Sequence, residues 1–72
     1  MGEISSDGLQ TDIGKKIETL RLQHKYSLRE LALIADIEHH QLLNIEKGRV
    51  DMRLSTLGKI AAALKVEVKN LV

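Results

Sequence analysis

Cysteine is absent from these 72 residues, which removes disulfides and thiolate metal ligation and suits a reducing, cytoplasmic setting. Phe and Trp are absent as well, and there is one Tyr, so a core must be built from Leu, Ile, Val and Ala. No apolar run approaches the roughly 20 residues of a membrane span, and no charged-then-apolar leader opens the chain. Neither a membrane span nor export is expected. Charge of one sign is also scarce: the net charge is +1. The first 12 residues hold Glu3, Asp7 and Asp12 and no basic residue, so all 11 Lys and Arg side chains fall in the remainder, against seven acids. That remainder is mildly basic, which by itself does not establish a nucleic-acid partner.

What is present is enough for one small domain. Apolar residues make up 43% and charged residues 29% of the chain, a globular balance, although a chain this short buries only roughly 60% of its unfolded surface. Residues 1–10 mix Gly, Ser and acids without periodicity and read as a flexible arm ahead of a folded domain at 11–72. The first helix is expected from Thr11 or Asp12, with Ile13, Ile17 and Leu20 as its apolar stripe, to His24 or Lys25, and His24 is expected at the surface. Ser27 and Glu30 form a capping box for a short second helix that turns Leu31, Ala32 and Ala35 inward. Asp36 tolerates a left-handed backbone and suits a tight turn. A third helix over about Glu38 to Lys47 carries Leu42 and Ile45 inward and stops at Gly48. A fourth carries Leu54, Leu57, Ile60, Ala61 and Leu64, with Asp51 or Ser55 as its cap. Glu67 to Val72 fits either a helical turn or a short strand. The fold class is therefore all-α, a compact bundle of four to five short helices.

Two short helices joined by a tight turn, the second exposing polar side chains, form the geometry that sets a helix into the DNA major groove. Ala32 supplies the small residue where the helices cross, and Ile37, Leu42 and Ile45 anchor the second helix from behind. The stretch Ile13-Gly14-Lys15-Lys16-Ile17-Glu18-Thr19-Leu20-Arg21, then Ser27-x-x-Glu30-Leu31-Ala32, Ile45-Glu46-Lys47-Gly48 and Leu54-x-x-Leu57-x-x-Ile60-Ala61-x-Ala63-Leu64-x-Val66 resembles the Cro and phage-repressor (Xre-type) helix-turn-helix family in order and spacing. The resemblance runs from about Ile13 to Leu71. It implies a lambda-repressor-like fold of five helices, the third in the major groove, and a structural ion pair between Arg21 and Glu46. Four positions depart from the family pattern: Asp36 stands for a turn glycine, Glu38 for a small N-cap, Leu28 for a DNA-contacting Gln, and Met52-Arg53 for Pro followed by Ser or Thr.

These readings assign roles residue by residue. His39, His40, Gln41 and Asn44 are the candidate base contacts, since Asn and Gln pair with adenine edges and imidazole donates to guanine or phosphate. Lys15, Lys16, Ser27, Lys47, Arg49 and Arg53 are the candidate phosphate contacts, adding affinity without sequence information. Val66, Val68, Leu71 and Val72 are the candidate seam of a homodimer that would place two recognition helices about one DNA turn, ~34 Å, apart. Leu22 and Leu43 fall off the core stripes. No catalytic set, cofactor motif or metal site is visible, and adjacent histidines on a helix point about 100° apart, poorly placed to share a metal. The expected function is sequence-specific binding of double-stranded DNA by a small transcriptional regulator of the repressor or controller type, on a palindromic operator. The alternative is a protein-interaction module, such as an antitoxin-type partner of a toxin, kept open by Glu38 and the low net charge.

Overall fold

A computed structural model describes residues 6–50 and 52–72. Four helices, α1 (Ser6–Gln23), α2 (Leu28–Ala35), α3 (His39–Glu46) and α4 (Leu54–Leu64), are followed by a single 3-10 turn (Val68–Asn70). All regular structure among the described residues is helical, and no helix among them is long and apolar enough to cross a membrane.

The first helix begins five residues ahead of its expected start, so residues 6–10 belong to α1 and not to an arm; residues 1–5 lie outside the described residues. Leu9 extends the stripe of Ile13 and Ile17 by one more turn, and Gly48, at the end of α3, presses so closely on Thr11 that a Cβ there would lie 2.9 Å from the Thr11 Cα. The composition of residues 6–10 gives little helical signal, and Leu9 itself is exposed. The α2 capping box is complete: the Glu30 amide donates to Ser27 Oγ at 3.0 Å and the Ser27 amide to Glu30 Oε1 at 2.7 Å. Those bonds stabilise the carboxylate form and hold the Glu30 carboxyl below its ordinary range, the Ser27 amide contributing most. At α4 the expected cap Asp51 lies outside the described residues, and the residue before the first turn is Arg53, whose side chain makes no capping bond.

All four helices end the same way. A left-handed residue follows the last turn, at Lys25, Asp36, Gly48 and Lys65, with φ between 60° and 70°. The next amide then reaches back to a carbonyl five residues earlier: Tyr26 to Arg21, Ile37 to Ala32, Arg49 to Asn44 and Val66 to Ala61. This is the Schellman geometry, which satisfies orphan carbonyls and is commonly locked by an apolar residue just past the turn. Tyr26, Ile37 and Val66 are such residues, each packed against the core. α3 has the same backbone ending, but the residue past its turn is the exposed Arg49 in place of an apolar lock.

The core is Ile13, Ile17, Leu31, Leu42, Ile45, Leu57, Ile60, Leu64 and Leu71 with small alanines between them. Ala32 is buried where α2 crosses its neighbours. α1 packs chiefly on α3, and α2 on both α3 and α4. Gly14 makes the first contact possible: a Cβ there would meet the Ile45 and Glu46 carbonyl oxygens at 2.5 and 2.6 Å. His24 is not a free surface residue. Its ring stacks on Tyr26, centroids 5.3 Å apart and planes 4° from parallel. Nε2 lies 2.9 Å from the Leu64 carbonyl, which can only accept, so Nε2 carries the proton and closes the end of α4.

Candidate nucleic-acid interface

The hand of α3 is set by what it buries. Leu42, Ile45 and Glu46 face inward, so the opposite face carries His40, Leu43, Asn44 and Lys47, at i, i+3, i+4 and i+7. Of the four candidate base contacts, His40 and Asn44 share this face. His39 and Gln41 flank it. His39 lines a cleft with Arg29, Leu33 and Ile37 on the α2 side. Gln41 lines another with Glu38, Thr56 and Lys59 on the α4 side. The two imidazoles tilt by 57° with centroids 5.3 Å apart, as expected for helix neighbours that diverge.

Beside the outward face runs an open groove between α1, α2 and α3. Lys15 of α1 and Lys47 and Arg49 at the end of α3 border it, and all three are exposed. Leu28 and Leu43 line it too, with the acids Glu18 and Glu46. Both acids are engaged by one guanidinium. Arg21 Nε donates to Glu46 Oε2 at 2.8 Å and Nη2 to Glu46 Oε1 at 3.1 Å, while Nη1 donates to the Tyr26 carbonyl at 3.0 Å. Glu18 Oε2 lies 3.9 Å from Arg21 Nη2. The Arg21 and Glu46 side chains are 12% and 5% exposed, so this bidentate pair ties α1 to α3 from below the surface. The bonds to Glu46 raise the Arg21 pKa above its ordinary value, against the opposing effect of burial, and the guanidinium stays charged. With Glu46 so occupied, the groove presents Lys15, Lys47 and Arg49 to whatever approaches, with the half-exposed Glu18 beside them.

The remaining candidates are dispersed. Arg53 is exposed at the start of α4. The Ser27 hydroxyl is exposed but already accepts the Glu30 amide. Lys16 points the other way, its Nζ donating to the Val72 carbonyl at 3.3 Å, beside Leu20 and Val66. Leu71 is fully buried in the chain's own core and offers a second copy no side-chain surface; of the candidate seam, Val72 is exposed and Val66 and Val68 are half-buried. The sequence pattern passed over the place of Leu28 and Leu43. Leu43 is half-buried yet stands outside the core, and its spacing of three from His40 was the only local sign that it shares the outward face.

The sequence signature of the helix-turn-helix family HTH_3 matches residues 17–71, three quarters of the chain. The immunity repressor protein of Bacillus phage phi105 is 33% identical over 60 residues, 83% of this chain and 42% of that protein; the chain thus spans less than half of that relative's length. Among solved structures, the restriction-modification controller protein C.AhdI from Aeromonas hydrophila superposes with a TM-score of 0.85 at 24% identity, over 88% of this chain and 96% of the other. The clp gene regulator ClgR from Corynebacterium glutamicum superposes with a TM-score of 0.83 at 25% identity, over 88% of this chain and 67% of the other. The match covers most of the four-helix core, including the Arg21–Glu46 pair and the turn at Asp36, and the chain belongs to the helix-turn-helix family of Cro and phage-repressor type transcription regulators.

Proposed function

We propose that this protein binds double-stranded DNA in a sequence-specific manner, as a transcriptional regulator of the repressor or controller kind, with α3 in the major groove. The observation that carries the reading is the join between α3 and its neighbour groove. His40, Asn44 and Lys47 stand on one outward helix face, and Lys15 and Arg49 flank it, none of these cations engaged in an ion pair among the described residues. A helix face that can read base edges, edged by cations that can grip phosphates, is what groove recognition needs. Asn44 pairs with an adenine edge, His40 donates to a guanine or phosphate, and His39 and Gln41 reach flanking positions. Lys15, Lys47, Arg49 and Arg53 hold the backbone, with the Ser27 end of α2 beside them. Lys16 lies too far round α1 to share this task. The likeness to a phage immunity repressor and to a restriction-modification controller protein supports a repressor or controller role. Two copies joined through Val66, Val68 and Val72 would meet a palindromic operator.

Selection of duplex DNA from a random pool, followed by titration at several salt concentrations, tests this. A single sequence class should enrich, and its affinity should fall steeply with salt, with a slope of about −0.9 per phosphate contact. Asn44→Ala should erase preference at one base position per half-site. Arg49→Ala should weaken all duplexes alike and lower the slope by about one. Enrichment of no sequence, with salt-independent binding, would overturn the reading in favour of a partner protein.

A further inference from the structure

We propose that Leu43, backed by Leu28, reads the C5-methyl group of a thymine in the major groove, which makes it a specificity-determining residue; this deepens the DNA-binding reading and rests on it. Three observations converge. First, Leu43 lies on the outward face of α3 between His40 and Lys47, three residues after one and four before the other. It is the sole apolar side chain on that face. Second, it is half-buried without belonging to the core. It lines the groove together with Leu28, a side chain that does pack on the core. Third, the same groove is lined by the exposed cations Lys15, Lys47 and Arg49, which outnumber its acids, Glu18 and the Arg21-bound Glu46. The charge complement is a polyanion, and the apolar spot faces whatever the polyanion presents between its phosphate rows.

In the major groove the single apolar group on a base edge is the thymine methyl. It offers no hydrogen bond and is met only by apolar contact, which the branched aliphatic end of Leu43 supplies. Leu28 thereby takes on a sense that its place in an otherwise polar position did not suggest: it supports Leu43 from below and leaves hydrogen-bonded reading to His40 and Asn44. The competing reading is that Leu43 only shields the Arg21–Glu46 pair from water, which would affect stability and not base preference.

The test uses the full chain and the duplex enriched above, with each thymine replaced in turn by deoxyuridine, which lacks only the methyl. Binding is followed by fluorescence anisotropy at constant salt. One thymine per half-site should lose about fourfold in affinity on losing its methyl, the worth of one buried carbon, and the other positions should change little. Leu43→Ala should bind the thymine and deoxyuridine duplexes equally at that position while retaining a thermal midpoint close to that of the parent. Uniform insensitivity of the parent protein to deoxyuridine overturns the proposal whether or not the variant folds, and so does a methyl effect that persists in Leu43→Ala. Failure of any duplex to enrich is a different result, because it removes the DNA-binding reading and this inference together.

Discussion

At the scale of single residues, two glycines in helices make opposite predictions. Alanine is the better helix former by about 1 kcal/mol, so propensity alone favours Gly→Ala at both Gly14 and Gly58. The surroundings decide otherwise. A Cβ at Gly14 would collide with two backbone carbonyls at 2.5 and 2.6 Å, whereas one at Gly58 meets nothing within 4 Å. Backbone cannot swing aside as a side chain can, so Gly14→Ala must push α1 off α3. Urea denaturation should show Gly14→Ala less stable by about 1–3 kcal/mol and Gly58→Ala more stable by about 0.5–1 kcal/mol. The Arg21–Glu46 pair makes a second prediction at this scale. Removing one partner strands a charge in a largely buried place. Arg21→Met should cost about 3 kcal/mol, and the double variant Arg21→Met with Glu46→Leu should regain most of it, because an apolar pair needs no counterion. Equal losses in the single and double variants would show that the pair is not the source of the effect.

At the scale of the element, stability is concentrated at helix ends. Lys25, Asp36 and Lys65 occupy left-handed backbone, which costs an L-residue with a Cβ roughly 1 kcal/mol or more. They are held there by the apolar residue that follows and packs on the core. Lys65→Gly removes the strain and keeps Val66 in place, so it should raise stability by about 1 kcal/mol, seen as a rise of about 4–8 °C in thermal midpoint. The capping box at the start of α2 brings a pH dependence whose sign follows from its bonds. The Glu30 carboxyl titrates lower in the folded chain than its ordinary value of 4.5. Its contribution is therefore complete above that value and is lost as pH falls through the folded pKa. In Glu30→Gln the neutral side chain keeps its shape without its charge. The midpoint gap between parent and variant should be widest near neutrality and close from about pH 4.5 downwards; a gap that widens on acidification would refute the assignment.

At the scale of the whole molecule, the proposed DNA-binding surface and the proposed dimer surface can be tested apart. The cationic groove and the outward face of α3 are formed by α1, α2 and α3 together. Val72 is exposed away from that groove, where Lys16 and Val66 lie close by, and Val66 and Val68 are half-covered beside it. A dimer using this surface leaves both recognition helices free. Val72→Asp should then shift sedimentation of the free protein toward monomer and weaken binding to a two-half-site duplex far more than to a single half-site. An unchanged mass with unchanged DNA affinity would place the seam elsewhere.

Helices, caps and turns are local matters, and the chain by itself was sufficient for most of them. The periodic Ile13, Ile17 and Leu20, the Ser27–Glu30 box, the tolerance of Asp36 and Gly48 for left-handed backbone, and the alanine at the crossing of α2 are all expressed within a few residues of where they act. Three things were not local. The close seating of Thr11 of α1 on Gly48 joins positions 37 apart in sequence. The turns at Lys25 and Lys65 depend on Tyr26 and Val66 finding the core, since lysine has no preference of its own for such a backbone. The division of α3 into an outward face and two flanks depends on the helix being rotated until Leu42, Ile45 and Glu46 are buried. Residue type could name His39, His40, Gln41 and Asn44 as polar and Leu43 as a stray. Only the packing of α3 on α1 and α2 separates His40 and Asn44 from their neighbours and sets Leu43 among them, because the direction of a side chain on a helix is fixed by what the opposite face must bury.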